Sequence, residues 1–408
     1  MKFSVLLPTR NRLDLLSYAI ETVRRQDYLD WEIIVFDNAS EEDIPGYVRS
    51  LNDSRIKCYR TEKLVPVTDN WNNALSKSDG DYVIMLGDDD CLMEGYFSTL
   101  NKVIEEYEAP DLIYTSAFLY AYPGVMPGFP EGYLRSYMSS EIFQSAKEPF
   151  WLEKSKSMAL VNHSIDFRIR FDYNMQFSLV SRKLIQRLEK YGSFYQSPYP
   201  DYYATNAAML KAESILIVPK PLVTIGISPK SFGFYYFNDL EEKGNKFLQN
   251  IPDPDMAIRL QQVILPGTDM NTSWLLSMET LRQNFAKDGI VKVNYERYRL
   301  LQIYAVYARS LLERYKVRED MQNLKRKMNL REWIFYGIPL SVLIAICVIF
   351  VPKRYYASIS RRITRSTGSH PRSTVKRRPS MIKGNFNTVI DVFEKVKPVS
   401  DSVNRQSV

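Results

Sequence analysis

Alternation constrains this chain more than any other feature. Within the first 110 residues, short apolar or β-branched runs at 3–7, 32–36, 55–59 and 82–86 are separated by stretches of helical periodicity at 13–25, 44–51 and 67–76. Strand and helix in turn predict an α/β fold, a mostly parallel sheet with helices on its faces. Ligands of such sheets bind beyond the carboxyl ends of the strands. The residues delivered there are Pro8-Thr9-Arg10-Asn11-Arg12, Asp37-Asn38-Ala39-Ser40 and Gly87-Asp88-Asp89-Asp90, and all three segments converge on one edge.

The acidic run is the most demanding of the three, because three successive carboxylates repel one another and need a counter-charge. Alternation along an extended segment would put Asp88 and Asp90 on one side and Asp89 on the other, so the first and third could grip a hard divalent cation and a diphosphate. A solvated acidic turn or helix cap is the plainer alternative. Asp37 likewise either closes a turn through its side chain or accepts from the edge of a base or ribose. Arg10, Arg12 and Lys63 either stabilise charge developing on a diphosphate or sit as solvated surface cations.

Four motifs in order, 3–12, Asp37-Asn38-Ala39-Ser40, Asn70-Trp71-Asn72-Asn73-Ala74 and Gly80-Asp81-Tyr82 leading to Asp88-Asp89-Asp90, resemble the signature of family-2 inverting glycosyltransferases with a GT-A fold. The resemblance is close over residues 1–110 and looser over 110–230. It implies a Rossmann-like sheet, a uridine pocket lined by Pro8 and Thr9, and a uracil or ribose partner in Asp37. It further implies Mg2+ or Mn2+ held by Asp88 and Asp90 with the nucleotide diphosphate, and a nucleotide-sugar donor of the UDP-sugar class. Arg10, Arg12, Asn70 and Asp89 join the donor site on the same grounds.

An inverting transfer needs a base for the acceptor hydroxyl. Asp201, after two prolines and at the start of the helical pattern 202–211, is similar to the family's catalytic aspartate; an ordinary helix N-cap is the alternative reading. Helix-terminal charge would depress its pKa unless Tyr199, Tyr202 and Tyr203 desolvate it. Of the two histidines, His163 is a candidate metal ligand or a structural side chain, and His370 falls in the tail. A sugar nucleotidylyltransferase would need a glycine-rich loop after the first strand, and residues 8–12 contain no glycine.

Charge divides the chain. Residues 352–408 hold 13 Lys or Arg against Asp391, Glu394 and Asp401, leaving the rest of the +7 chain slightly acidic. That points to a membrane-surface contact and away from nucleic acid. Residues 333–351 form a 19-residue uncharged run with basic residues on both sides and aromatics at both ends, long enough to cross a bilayer. Pro339 and the basic flanks leave two readings open, a span and a re-entrant or surface-lying segment. The first residues show no secretory signal, and the three widely spaced cysteines offer no disulfide framework, so the cytoplasmic face of the plasma membrane is expected.

The expected organisation is a donor-binding half at 1–110, an acceptor half at 111–233, a helical region at 234–327, a membrane segment at 328–356 and a mobile basic tail at 357–408. The expected activity is sugar transfer to a hydroxyl of a glycan or lipid-linked saccharide in bacterial surface-polysaccharide assembly. A polyprenyl-phosphate glycosyl synthase and a catalytically silent nucleotide-sugar-binding partner of a membrane enzyme are the alternatives.

Overall fold

The computed structural model of the chain describes residues 1–137, 140–196, 199–238, 240, 243–244, 254–287, 292–313, 317–366 and 381–397. The predicted alternation appears as β1 (Phe3–Thr9), β2 (Trp31–Asp37), β3 (Ile56–Arg60) and β4 (Tyr82–Met85), with helices Leu13–Arg24, Ile44–Ser50 and Val67–Ser76 between them. These strands pair in parallel in the order β3-β2-β1-β4. Helices on the sheet's faces explain why β1 and β2 are buried on both faces, Ser4 and Glu32 included. Leu15, Leu16, Ala19, Ile20 and Val23 form the buried stripe of Leu13–Arg24, at the spacing of one helix face.

The second half adds β5 (Cys91–Leu92), β6 (Leu112–Ala121), β7 (Tyr133–Tyr137), β8 (Phe150–Trp151), β9 (Ser178–Ser181) and β10 (Ile215–Ile227). Antiparallel β9 joins β4 to β6, and β10 runs parallel to β6, so a parallel half passes into a mixed one. This is the expected α/β class and a GT-A architecture. Both faces of β6 are buried along its full length. Its opposite edge is shared, with β9 on its first residues and β7 on its last.

Packing divides the chain differently from the expected boundaries. Helix Asp269–Asn284, placed by sequence in a separate region, belongs to the same core as the sheet. Trp274 sits with its ring centroid 4.6 Å from Tyr202 and 5.1 Å from Tyr173. A second core begins later, where Ile303, Val306, Tyr307 and Leu311 of helix Tyr295–Leu312 meet Leu340, Cys347 and Ile363. The end of the expected helical region at 234–327 is two helices, Tyr295–Leu312 and Arg318–Lys327.

The tail corrects another expectation. Residues 356–366 are helical, and 381–397 fold back onto the N-terminal domain through β11 (Met381–Ile382), paired with β7, and helix Val389–Lys395. Val389 and Val392 are fully buried, and Tyr120 Oη donates to the Phe386 carbonyl at 2.9 Å. Net basic composition hid an apolar i, i+3, i+4 pattern (Val389, Val392, Phe393) that finds a surface only in the fold. The basic run at 376–378 lies outside the described residues.

Candidate active site

Register brings the first two motifs together. Thr9 pairs with Asp37 at the carboxyl ends of β1 and β2, and the Asn38 N–H donates to the Thr9 carbonyl at 2.9 Å. Asp37 is fully buried. One carboxylate oxygen accepts from the Ser40 N–H at 3.0 Å, which is the turn chemistry expected of it. The other, Oδ2, has no hydrogen-bond donor, only Arg60 Nη1 at 3.4 Å. A buried acceptor without a donor has a vacancy for a ligand N–H or O–H.

Asn70 is buried under β2, donating to the Phe36 carbonyl at 3.2 Å while its own Oδ1 lacks a donor. Pro8, half-buried, lies in β1 opposite Phe36. Arg10 is half-buried and its Nε has no acceptor; Lys63 is exposed. Arg12 is locked in place: its guanidinium holds Asp88 Oδ1 at 2.7 Å and reaches the Lys230 carbonyl. Carboxylate neighbours keep Arg12 charged, and its pKa is raised despite burial.

The acidic run is a turn, which corrects the extended geometry inferred from alternation. β4 ends at Met85, and the three carboxylates take separate surroundings. Asp88 accepts from Arg12 and, at 2.8 Å, from the Thr9 hydroxyl. Asp90 turns inward and accepts from Gln176 Nε2 at 2.7 Å, the Gly226 N–H at 2.7 Å and the Gly87 N–H at 2.9 Å. Those three donors occupy both its oxygens, so Asp90 works as a latch between the turn and the end of β10. Asp89 faces Ser228, whose N–H donates to Oδ2 at 3.3 Å and whose hydroxyl also lies near the carboxylate. Burial raises the pKa of Asp89, Arg12 lowers it in part, and the Asp88 charge raises it again. Burial and Asp89 raise that of Asp90 well above the usual carboxylate range.

Asp201 does not cap its helix. The N-cap of Pro200–Lys211 is Tyr199, and Asp201 stands in the first turn with its own N–H and that of Met175 near its carboxyl. Burial pushes its pKa up to about 7 against the pull of those two N–H groups, and Tyr173, Tyr195 and Tyr202 lie close enough to feel its charge. The desolvation expected of its tyrosine neighbours thus outweighs the helix terminus. Met175 and Gln176 are consecutive, and Met175 Sδ lies 3.2 Å from the Thr205 hydroxyl, so one short turn links the Asp201 helix to the Asp88–Asp90 segment.

His163 stands apart. It lies on helix Lys154–Ile165 and lines a cavity with Asn162, Asp166, Lys292 and Asn294. Among the described residues no three His, Cys, Asp or Glu side chains cluster as a ready cation cage. Gln176, Gly226 and Ser228 were missed by sequence. Each acts through a contact more than 80 residues distant, which no local pattern encodes.

Residues 4–166 match the domain described as glycosyl transferase family 2. This stretch is a family-2 glycosyltransferase domain. The family-2 match contains the Thr9, Asp37 and Asp88–Asp90 segments and ends before Asp201, Gly226 and Ser228. Over 108 residues the chain is 40% identical to the GalNAc(5)-diNAcBac-PP-undecaprenol beta-1,3-glucosyltransferase of Campylobacter jejuni, covering 26% of this chain and 35% of that protein. Over 87 residues it is 31% identical to the UDP-Glc:alpha-D-GlcNAc-diphosphoundecaprenol beta-1,3-glucosyltransferase WfgD of Escherichia coli, covering 21% and 34%. The matched stretches thus span about a third of these curated relatives' length. Among solved structures, S. aureus TarS residues 1–349 with UDP-GlcNAc aligns at 16% identity and a TM-score of 0.47, covering 83% of this chain and 92% of that one.

Proposed function

We propose that the chain is an inverting glycosyltransferase that moves a sugar from a nucleotide diphosphate, of the UDP-sugar class, to a hydroxyl of a lipid-linked saccharide at the cytoplasmic face of the membrane. The observation that carries this reading is Asp201, a desolvated carboxyl with a pKa near neutrality, tied through one turn to the strand end where the family-2 motifs converge. A base of that pKa is matched to a hydroxyl acceptor at physiological pH. The names of the two relatives, both glucosyltransferases with undecaprenol-linked acceptors, support the acceptor class. The apolar helix Leu330–Phe350 supports a membrane location.

In this reading Asp37 Oδ2 accepts from the uracil or ribose, and Thr9 and Pro8 border the same pocket. Asp201 takes the acceptor proton as the hydroxyl oxygen bonds to the anomeric carbon. The carbon–oxygen bond to the diphosphate breaks on the opposite face, and the diphosphate leaves with the electron pair. A divalent cation, Mg2+ or Mn2+, would be held by the Asp89 carboxylate, which stands beside the Asp88 charge. Such a cation, when bound, neutralises charge on the leaving diphosphate. Asp90 is assigned to holding the turn, and His163 has no part in the reaction.

Thermal stability with and without nucleotide diphosphates, nucleotide sugars and Mn2+ tests the donor assignment, because a ligand of the folded state raises the midpoint. A Mn2+-dependent rise with UDP or a UDP-sugar, lost in Asp89→Ala, is expected. No rise with any nucleotide would sink it. A polyprenyl-phosphate acceptor, already anionic, needs no base, so full activity in Asp201→Asn would favour that second reading.

A further inference from the structure

Helix Leu330–Phe350 is the one segment among the described residues long and apolar enough to cross a membrane, yet it packs one side against the protein through Leu340 and Cys347. Arg299 pairs with Glu332 through two contacts of 2.6 and 2.8 Å at its start. Tyr304 meets Tyr336 with ring centroids 6.2 Å apart, and Tyr307 bonds Ser341 at 3.0 Å further along. Residue numbers rise together on both sides, so the first half of the apolar helix runs parallel to Tyr295–Leu312. Near its end Tyr356 Oη donates to the Cys347 carbonyl at 3.4 Å, and Ile363 of helix Tyr356–Ser366 enters the same core as Leu340 and Cys347.

Those neighbours cannot follow it into hydrocarbon. Tyr295–Leu312 carries Glu296, Arg297, Arg299 and Arg309, and Tyr356–Ser366 carries the exposed Arg361 and Arg362. Each such charge is costly at the bilayer centre. The chain then returns to the catalytic domain, where β11 extends the sheet beside β7 and helix Val389–Lys395 packs near Arg25, which pairs with Glu394 at 2.7 Å. A transverse helix would have to tear apart one of these contacts.

The face turned away from the protein is apolar, with Phe335, Ile338, Val342, Ile346, Ile349 and Phe350 exposed, the last two by 70% and 76%. Its surroundings are basic: Lys325, Arg326, Lys327 and Arg331 precede it, Lys353 and Arg354 follow, and no Asp or Glu occurs from 333 to 390. Exposed apolar surface bordered by basic residues at both ends suits contact with an anionic bilayer.

We propose that Leu330–Phe350 is an in-plane anchor that enters one leaflet of an anionic phospholipid membrane, with the chain before and after it on the same side. The inference rests on the membrane contact proposed above and does not depend on sugar transfer.

The test uses the full chain carrying Cys58→Ser, with Lys327→Cys or Arg354→Cys, produced in a bacterial host and labelled by a membrane-impermeant maleimide on sealed vesicles of either orientation. Both cysteines are expected to react in inside-out vesicles and neither in right-side-out ones. Reaction of the two in opposite orientations overturns the in-plane geometry alone; absence of the protein from the membrane fraction overturns the contact as well. On phosphatidylglycerol–phosphatidylethanolamine vesicles, Val342→Glu/Ile346→Glu should lower the bound fraction at least tenfold with the thermal midpoint unchanged. Undiminished binding, or a purified chain that dimerises through this surface and ignores the vesicles, also overturns it.

Discussion

Asp90 and Asp201, 111 positions apart, meet consecutive residues: Gln176 donates to Asp90 at 2.7 Å, and Met175 Sδ lies 3.2 Å from the Thr205 hydroxyl, one turn along the helix from Asp201. The candidate base and the strand-end carboxylates therefore form one mechanical unit. Displacing the turn at 175–177 would disturb both.

Asp201→Asn should abolish transfer and yet stabilise the fold. Its folded pKa of about 7 lies above its ordinary value, so the native state binds more protons than the unfolded state between about pH 4 and 7. Stability attributable to this carboxyl accordingly falls as pH rises through that window. The gain of Asp201→Asn over the natural chain should grow from about pH 4 to 7 and level off above, read by denaturant midpoints. The natural enzyme's rate should rise with pH to a midpoint near 7. A variant no more stable at pH 8 than at pH 5, relative to the natural chain, would refute the buried-carboxyl argument.

Asp89 and Asp90 should separate in their effects. Asp90→Ala leaves three buried N–H donors without an acceptor and should cost about 3 kcal/mol, visible as a fall in thermal midpoint. Asp89→Ala removes a buried carboxylate beside the Asp88 charge, so the fold should be unharmed while the Mn2+-dependent nucleotide shift disappears. Calorimetry of both variants, with and without UDP and Mn2+, decides the matter.

Gly226→Ala should behave as a site mutation although it adds only a methyl group. A Cβ there would stand 1.9 Å from the Asp89 carbonyl oxygen, a backbone atom that cannot swing aside. The acidic turn must move, and a nucleotide affinity loss of about tenfold or more is expected by titration calorimetry. Unchanged affinity would mean the turn tolerates displacement.

Arg12→Met should cost about 3 to 5 kcal/mol, since it strands the buried Asp88 charge. Arg12→Met/Asp88→Asn should recover part of that loss, measured as a double-mutant cycle.

Removing residues 381–408 should destabilise the catalytic domain, against the expectation of a mobile tail. The deletion uncovers the edge of β7 and the surface that buries Val389 and Val392. A lower midpoint and increased exchange of the β7 amides would report it.

Periodicity alone determined the order and nearly the limits of the first four strands and three helices, because period and turn chemistry are local and each strand end then falls where the sheet must bind. That is why Thr9, Asp37 and Asp88–Asp90 were legible as one edge, and why residues 333–351 stood out without any structure. What tertiary structure decided was which atoms retain unused bonding capacity: Asp90 spent on Gln176 and Gly226, Asp37 Oδ2 without a donor, Asp201 desolvated at a helix start. It also decided that a helix long enough to cross a bilayer lies against a charged one, and that a basic tail returns to the sheet. Hydrogen-bond saturation and desolvation depend on partners distant in sequence, whereas hydrophobic period depends only on neighbours, and the division between the two follows from that difference.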